Sequence, residues 1–202
     1  MELKRKILRR EHKKAIKKIF SVLEKGQFYL ANETAVYYYL LHRHSVDLDF
    51  FTKKDIDFRN FHSYFNPSEI QLISKDTIHS KIEGINISFF FYPYPLLKPL
   101  KKLDLIKVAS LEDILCMKVN AIISRGSRKD FIDSYFIMKA LKLNGNKVIN
   151  FFKKKFGDYD EMLIKKAFTY FEDAEKEPDF PTIKKVSWTK VKNFFIREFA
   201  KI

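Results

Sequence analysis

Cysteine occurs once in 202 residues, at Cys116 in an apolar stretch, which excludes an intrachain disulfide and makes a reducing cytoplasm the expected setting. Glycine is scarce too, with five residues, and no glycine-rich Walker loop or nucleophile elbow is present. No stretch approaches the run of about 20 apolar residues that spans a bilayer. Residues 1–25 hold ten Lys/Arg against three Glu and contain no apolar signal core, so no secretory leader is expected there. Acidic residues are outnumbered 25 to 39, for a net charge of +14 and a pI near 9.6. That excess favours a polyanionic partner such as RNA, DNA or an anionic membrane surface. The Lys-, Ile- and Phe-rich composition of an AT-rich genome produces the same balance.

What is present is enough for a core. With 46% hydrophobic and 16% aromatic residues, the chain can bury one good core or two small ones. Strand-like alternation is concentrated before residue 108 and helical spacing after it. The pattern predicts a basic amphipathic helix over 3–25, with Ile7, Leu8, Ala15, Ile16, Ile19, Phe20 and Leu23 on its buried face. A short strand at 28–31, a helix at 33–41 and a strand at 46–51 follow. Residues 56–66 read as a helix, and 69–74, 77–83 and 85–92 as strands, with a turn at Gly84 and a break at Pro93 and Pro95. Beyond Ser110, whose spacing to Asp113 suits a capping box, helices are expected to about 123 and over 129–141, 146–156, 159–174 and 187–200. The expectation is an α+β protein: a small mixed sheet with helices over 1–108, then a helical domain over 109–202.

The chemistry is concentrated between Tyr29 and Phe51. Asp47 and Asp49 are two apart in an apolar run, so on a strand both acids leave one face while Val46, Leu48 and Phe50 point to the other. Two hard oxygen ligands held this way suit Mg²⁺ or Mn²⁺. His42 and His44 flank Arg43, but no Cys or further His with ligand spacing lies nearby, which argues against zinc.

The order of these features resembles a known family. His42-Arg43-x-Ser45-x-Asp47-Leu48-Asp49-Phe50-Phe51, then Tyr92-Pro93-Tyr94, then Asp113-Ile114-x-x-x-Lys118 and Arg125-Gly126-x-x-Lys129-Asp130-Phe131-x-Asp133 look like the AbiEii/AbiGii toxin nucleotidyltransferases over residues 15–141. The resemblance implies a polymerase-β-like nucleotidyltransferase domain followed by a helical domain. It also implies an enzyme of toxin–antitoxin or phage-defence type that moves a nucleoside monophosphate from an NTP to RNA, the 3′ end of tRNA among the acceptors. By the same resemblance Asp47 and Asp49 are the metal-binding pair, Lys118, Lys129 and Asp133 belong to the catalytic set, and Arg43 orients the acids or touches phosphate. A cognate antitoxin protein would be a partner.

Without the resemblance, Lys118 reads as a solvent-facing helix lysine, and Asp130 and Asp133 as acids favoured near a helix N-terminus. The chain also departs from the family pattern. Asn32-Glu33-Thr34 stands where Gly-Gly-Thr or Gly-Gly-Ser is usual, leaving the Thr34 hydroxyl but placing a carboxylate where phosphate would lie. The strand that supplies a third acid in many polymerase-β-like sites offers only Asn86 and Ser88. Tyr37, Tyr38 and Tyr39 replace smaller residues and read as core packing, with base stacking the alternative. A second functional reading is therefore a non-catalytic relative that binds RNA, nucleotide or a partner protein through its basic surface. A third is an enzyme that modifies a small molecule or a protein hydroxyl.

Overall fold

The computed structural model describes residues 1–59 and 65–200. The chain forms α1 (Arg10–Lys18), α2 (Phe20–Lys25), β1 (Tyr29–Ala31), α3 (Asn32–Leu40) and β2 (Leu48–Thr52). After a 3-10 turn at Pro67–Glu69 come β3 (Ile70–Ile73), β4 (Thr77–Ile82), β5 (Ile85–Phe91), β6 (Lys101–Leu103) and β7 (Ile106–Val108). The remainder is helical: α4 (Leu111–Arg125), α5 (Arg128–Leu141), α6 (Gly145–Phe156), α7 (Glu161–Thr169), α8 (Glu172–Lys176) and α9 (Trp188–Phe199). The fold is the expected α+β arrangement. The helix expected over 56–66 falls in part on residues 60–64, outside the described residues, and no α-helix is formed at 56–59 or 65–66.

The strands build one mixed sheet of seven in the order β3-β4-β5-β2-β1-β7-β6. β2 lies near its middle, antiparallel to β1 and parallel to β5, and pairs Asp49 with Ala31 on one side and Ser88 on the other. β4 and β5 join through Glu83-Gly84, both at positive φ (53° and 77°), the geometry of a two-residue turn matched to strand twist. The β6–β7 hairpin is an addition to the expected strands. Its Leu103, Ile106 and Val108 are buried, but three residues per strand between exposed lysines give too short an alternation to read.

Three expectations are corrected. The N-terminal helix is shorter and broken: residues 1–9 are not helical, Ile19 leaves helical geometry at φ −106°, ψ 11°, and Ile7 is 66% exposed. Strand β2 starts at Leu48 rather than 46, and Val46 is 48% exposed instead of buried. The reason is tertiary: the carbonyls of Ser45 and Val46 are bonded by the side chains of Arg9 and His12 rather than by a neighbouring strand. The helix expected over 159–174 breaks at Tyr170, which is extended at φ −102°, ψ 117°, and resumes as α8.

Capping explains both ends of α4. Ser110 Oγ accepts from the Asp113 N–H at 3.0 Å, and Gly126 ends α4 at φ 60°, a left-handed position glycine adopts without strain. α9 buries Val191, Phe194, Phe195 and Phe199 against α5 and α7, with Phe168 stacked on Phe199 at 4.1 Å. Truncating one such ring to alanine costs about 3–5 kcal/mol.

Candidate active site

β1 runs straight into α3, and Asn32 makes that turn at φ 62°. Asparagine tolerates this left-handed conformation better than most residues, so it supplies the backbone geometry for which glycine is otherwise the default. Its side chain then reaches across the sheet, Nδ2 donating to Asp49 Oδ2 at 3.1 Å. On the other flank, Asn86 Nδ2 donates to Asp47 Oδ1 at 3.1 Å. Thr34 Oγ1 lies 2.7 Å from Ser45 Oγ and also donates to the Asp47 carbonyl, tying the start of α3 to the segment that carries the acids.

Asp47 and Asp49 line one cavity of ≈ 260 Å³ with Asn32, Asn86, His79 and Ser88; Glu33, Ser45, Phe90, Arg125 and Lys129 complete its wall. Among the described residues, neither acid has a Lys or Arg within ion-pair distance. Burial raises the Asp49 carboxyl above its ordinary value; the Asn32 hydrogen bond opposes the rise, and the charges of Glu33 and Asp47 add to it. A carboxylate held charged here gains from a cation, and the two carboxylates offer oxygen ligands that suit a hard divalent ion.

A second cluster of acids sits behind the first. Glu33, Asp130 and Asp133 bring carboxylate oxygens within 4.8 Å of one another, the spacing of a metal site, but a lysine already fills it. Lys118, fully buried on α4, places Nζ 2.8 Å from Asp130, 2.9 Å from Asp133 and 3.4 Å from Glu33. Arg43 grips Asp133 bidentately, Nε and Nη2 each at 2.7 Å, and reaches Glu33 at 3.1 Å. His42 Nε2 lies 2.7 Å from Asp133, Arg125 Nε lies 2.8 Å from Asp130, and Lys129 Nζ lies 3.4 Å from Glu33. Burial works against the Asp133 charge, but Lys118, Arg43 and His42 hold its carboxyl well below the ordinary range. Burial likewise opposes the Lys118 charge, and the surrounding acids outweigh it and raise the ammonium. Glu33 is also held low: Lys118, Arg43 and Lys129 outweigh its burial.

The sequence-derived residues therefore divide in two. Asp47, Asp49, Asn32, Ser45, Lys129 and one edge of Glu33 face the cavity. Lys118, Asp133 and Arg43 form the buried network beneath it, and Thr34 is buried beside Ser45. Glu33 bridges the two groups, its charge committed to three cations. Tyr37, Tyr38 and Tyr39 are all buried, at 5%, 0% and 1% exposure, as core packing requires.

Sequence reasoning placed Arg125 in a family motif without giving it a role, and missed His79 and the pair Arg9 and His12. His79 Nδ1 lies 2.9 Å from Ser88 Oγ, two strands out from Asp49 on the same face; its position opposite the buried Ile78 and Ser80 was the available signal. His12 has no such signal, because its partners lie 26 and 34 residues away. Nδ1 is 2.8 Å from Tyr38 Oη and Nε2 is 2.8 Å from the Val46 carbonyl oxygen, so it clamps the segment leading to Asp47. Burial, reinforced by Arg9, pushes its pKa down to about 4.

A mixed sheet with an acid pair at the start of β2, facing the turn from β1 into a buried helix and backed by a helical layer, is the architecture of a nucleotidyltransferase. JHP933 from Helicobacter pylori superposes with a TM-score of 0.50 at 16% identity, covering 94% of this chain and 91% of that one. A second H. pylori protein, described as a nucleotidyltransferase, superposes with a TM-score of 0.54 at 17% identity, covering 96% and 97%. In sequence, the Aquifex aeolicus (strain VF5) protein aq_aa25 is 38% identical over 198 residues, 95% of each chain. Residues 92–201 match the family model for the nucleotidyl transferase AbiEii toxin of type IV toxin–antitoxin systems, and the chain belongs to that family.

Proposed function

We propose that this protein transfers a nucleoside monophosphate from an NTP to RNA, the 3′ end of tRNA being the favoured acceptor, with Mg²⁺ or Mn²⁺ held by Asp47 and Asp49. The observation that carries the proposal is the contrast in pairing: these two carboxylates meet in an open cavity without a basic partner, whereas the acids behind them are saturated with cations. Bound there, the ion would offset phosphate charge and favour attack by a nearby hydroxyl. Asn32 and Asn86 orient the two acids by donating to one oxygen of each, leaving the other oxygens for a ligand. Lys129 and Arg125 stand on the cavity wall, where their charge suits the triphosphate. Lys118, Asp133 and Arg43 act from beneath, fixing Glu33 and the α4–α5 junction so that those two cations point inward. In the overall reaction the acceptor oxygen bonds to the α-phosphorus as the bond to the β-phosphate oxygen breaks, and pyrophosphate leaves.

The case for a non-catalytic binding protein rested on Asn32 and Glu33. Asn32 adopts a glycine-like φ, and Glu33 is neutralised by three cations, which weakens that case. Family membership supports a cognate antitoxin as partner, and the single buried Cys116, its thiol pushed up to about 12 mainly by burial, is consistent with a cytoplasmic location. No described helix is long and apolar enough to cross a membrane. The test is incubation with each labelled NTP, Mg²⁺ or Mn²⁺ and total tRNA. Label is expected to enter RNA with the wild type and not with Asp47→Asn/Asp49→Asn; equal labelling by both would overturn the proposal.

A further inference from the structure

The chain's net charge of +14 is not spread evenly over its surface. Two adjoining cavities of ≈ 390 and ≈ 370 Å³ share Tyr135 and Lys139 and run from the face of α9, across α5, to the N-terminal segment. Lys139, Lys190 and Arg197 line the first, and Lys4, Lys139 and Lys184 the second. No carboxylate lines either one. Glu198 satisfies Arg197, but among the described residues Lys4, Lys139, Lys184 and Lys190 have no acid within ion-pair distance. Two of the lysines lie instead near aromatic rings, Lys139 at 6.0 Å from the Phe194 centroid and Lys184 at 5.9 Å from that of Phe136. Ser187, Thr189 and Asn193 add neutral hydrogen-bonding groups to the floor.

We infer that this basic trough is a binding site for the phosphate backbone of RNA, placed to hold the body of the acceptor while its end enters the cavity at Asp47 and Asp49. The inference rests on the RNA-transfer reading above. An unpaired row of ammonium groups flanked by ring faces and small polar side chains is the composition of a surface that follows a nucleic-acid strand. Crowding is already felt there: burial and the neighbouring Lys4 depress the Lys184 ammonium, a repulsion that an anion would relieve. The geometry also connects trough and active site. Lys139 and Lys129 lie ten residues apart on α5, about 15 Å along its axis. The strand-like segment before α9 bonds to the segment leading to Asp47, with a bridge between Arg43 and Thr182 and the Lys184 N–H donating to the His42 carbonyl at 3.0 Å.

The experiment compares the wild type with two charge-matched triple reversals, Lys139→Glu/Lys184→Glu/Lys190→Glu in the trough and Lys147→Glu/Lys154→Glu/Lys166→Glu on exposed positions of α6 and α7. Binding of labelled tRNA is followed by anisotropy over a salt series, with thermal midpoints as the check on folding. The trough variant is expected to bind at least about tenfold more weakly, with a salt slope shallower by about two to three, while the control stays near wild type. Equal losses in both variants, or none in either, would overturn the site. Transfer to a trinucleotide acceptor, too short to reach the trough, separates this from the catalytic reading: the trough variant should lose transfer to tRNA and keep it to the trinucleotide. Were the wild type to transfer to neither acceptor, the transfer reading would fall while the binding data still decided the trough.

Discussion

Two groups of carboxylates lie back to back in this protein, and only one of them is neutralised. Glu33, Asp130 and Asp133 converge closely enough to hold a metal, yet Lys118 and Arg43 occupy the space between them. Among the described residues, the carboxylates of Asp47 and Asp49 receive hydrogen bonds only from asparagine side chains. Buried charges survive folding when each finds an opposite partner, so the paired cluster needs nothing further and acts as a brace. The unpaired acids are the ones to which the proposed function gives the cation. Proximity of acidic side chains alone would point instead to the cluster that Lys118 fills.

Breaking each group should have opposite consequences. The largest effect is on transfer: Asp47→Asn/Asp49→Asn is expected to abolish it while leaving the metal-free thermal midpoint unchanged or higher, because the substitution removes mutual repulsion and a carboxyl whose pKa burial raises. Lys118→Met attacks the brace instead. It withdraws a buried cation shared by three carboxylates, two of them fully buried, leaving Asp133 to Arg43, Asp130 to Arg125 and Glu33 to Arg43 and Lys129, and should cost up to about 3–5 kcal/mol in urea unfolding; a loss below about 1 kcal/mol would mean the network is not structural. A smaller effect is expected for Glu33→Gln, about 1–2 kcal/mol, since Arg43 and Lys118 keep Asp133. Transfer should persist in that variant; a marked gain would instead show that Glu33 obstructs the nucleotide.

The smallest effect concerns the clamp on the Asp47 segment. His12 titrates near 6.5 when unfolded and at about 4 when folded, so the folded state favours the neutral ring. Its contribution is fully present above about pH 6.5 and is lost as pH falls through about 4. Thermal midpoints of the wild type should therefore fall more steeply than those of His12→Gln across that window. Parallel curves would remove His12 from the account.

Much of this was legible in the sequence where local pattern decides structure. Alternation located β3, β4 and β5, the Ser110 and Asp113 spacing located the start of α4, and the Asp47-Leu48-Asp49 spacing placed both acids at one cavity. Pairing was not legible. That Lys118 faces inward follows from where α3 and α5 pack on α4, and a lysine read by spacing alone looks solvated. Nor could Val46 be seen as exposed, because Arg9 and His12 reach its segment from more than thirty residues away. The break at Ile19 and the β6–β7 hairpin were hidden for a different reason, since elements of three to nine residues give too few periods to count.

The claim that the unpaired acids form the cation site is tested most directly by calorimetric titration of Mn²⁺ into the wild type, Asp47→Asn/Asp49→Asn and Glu33→Gln. Binding is expected in the wild type and in Glu33→Gln, and its loss in the double variant. Retention of binding in the double variant with loss in Glu33→Gln would place the ion in the cluster around Lys118 and contradict the account.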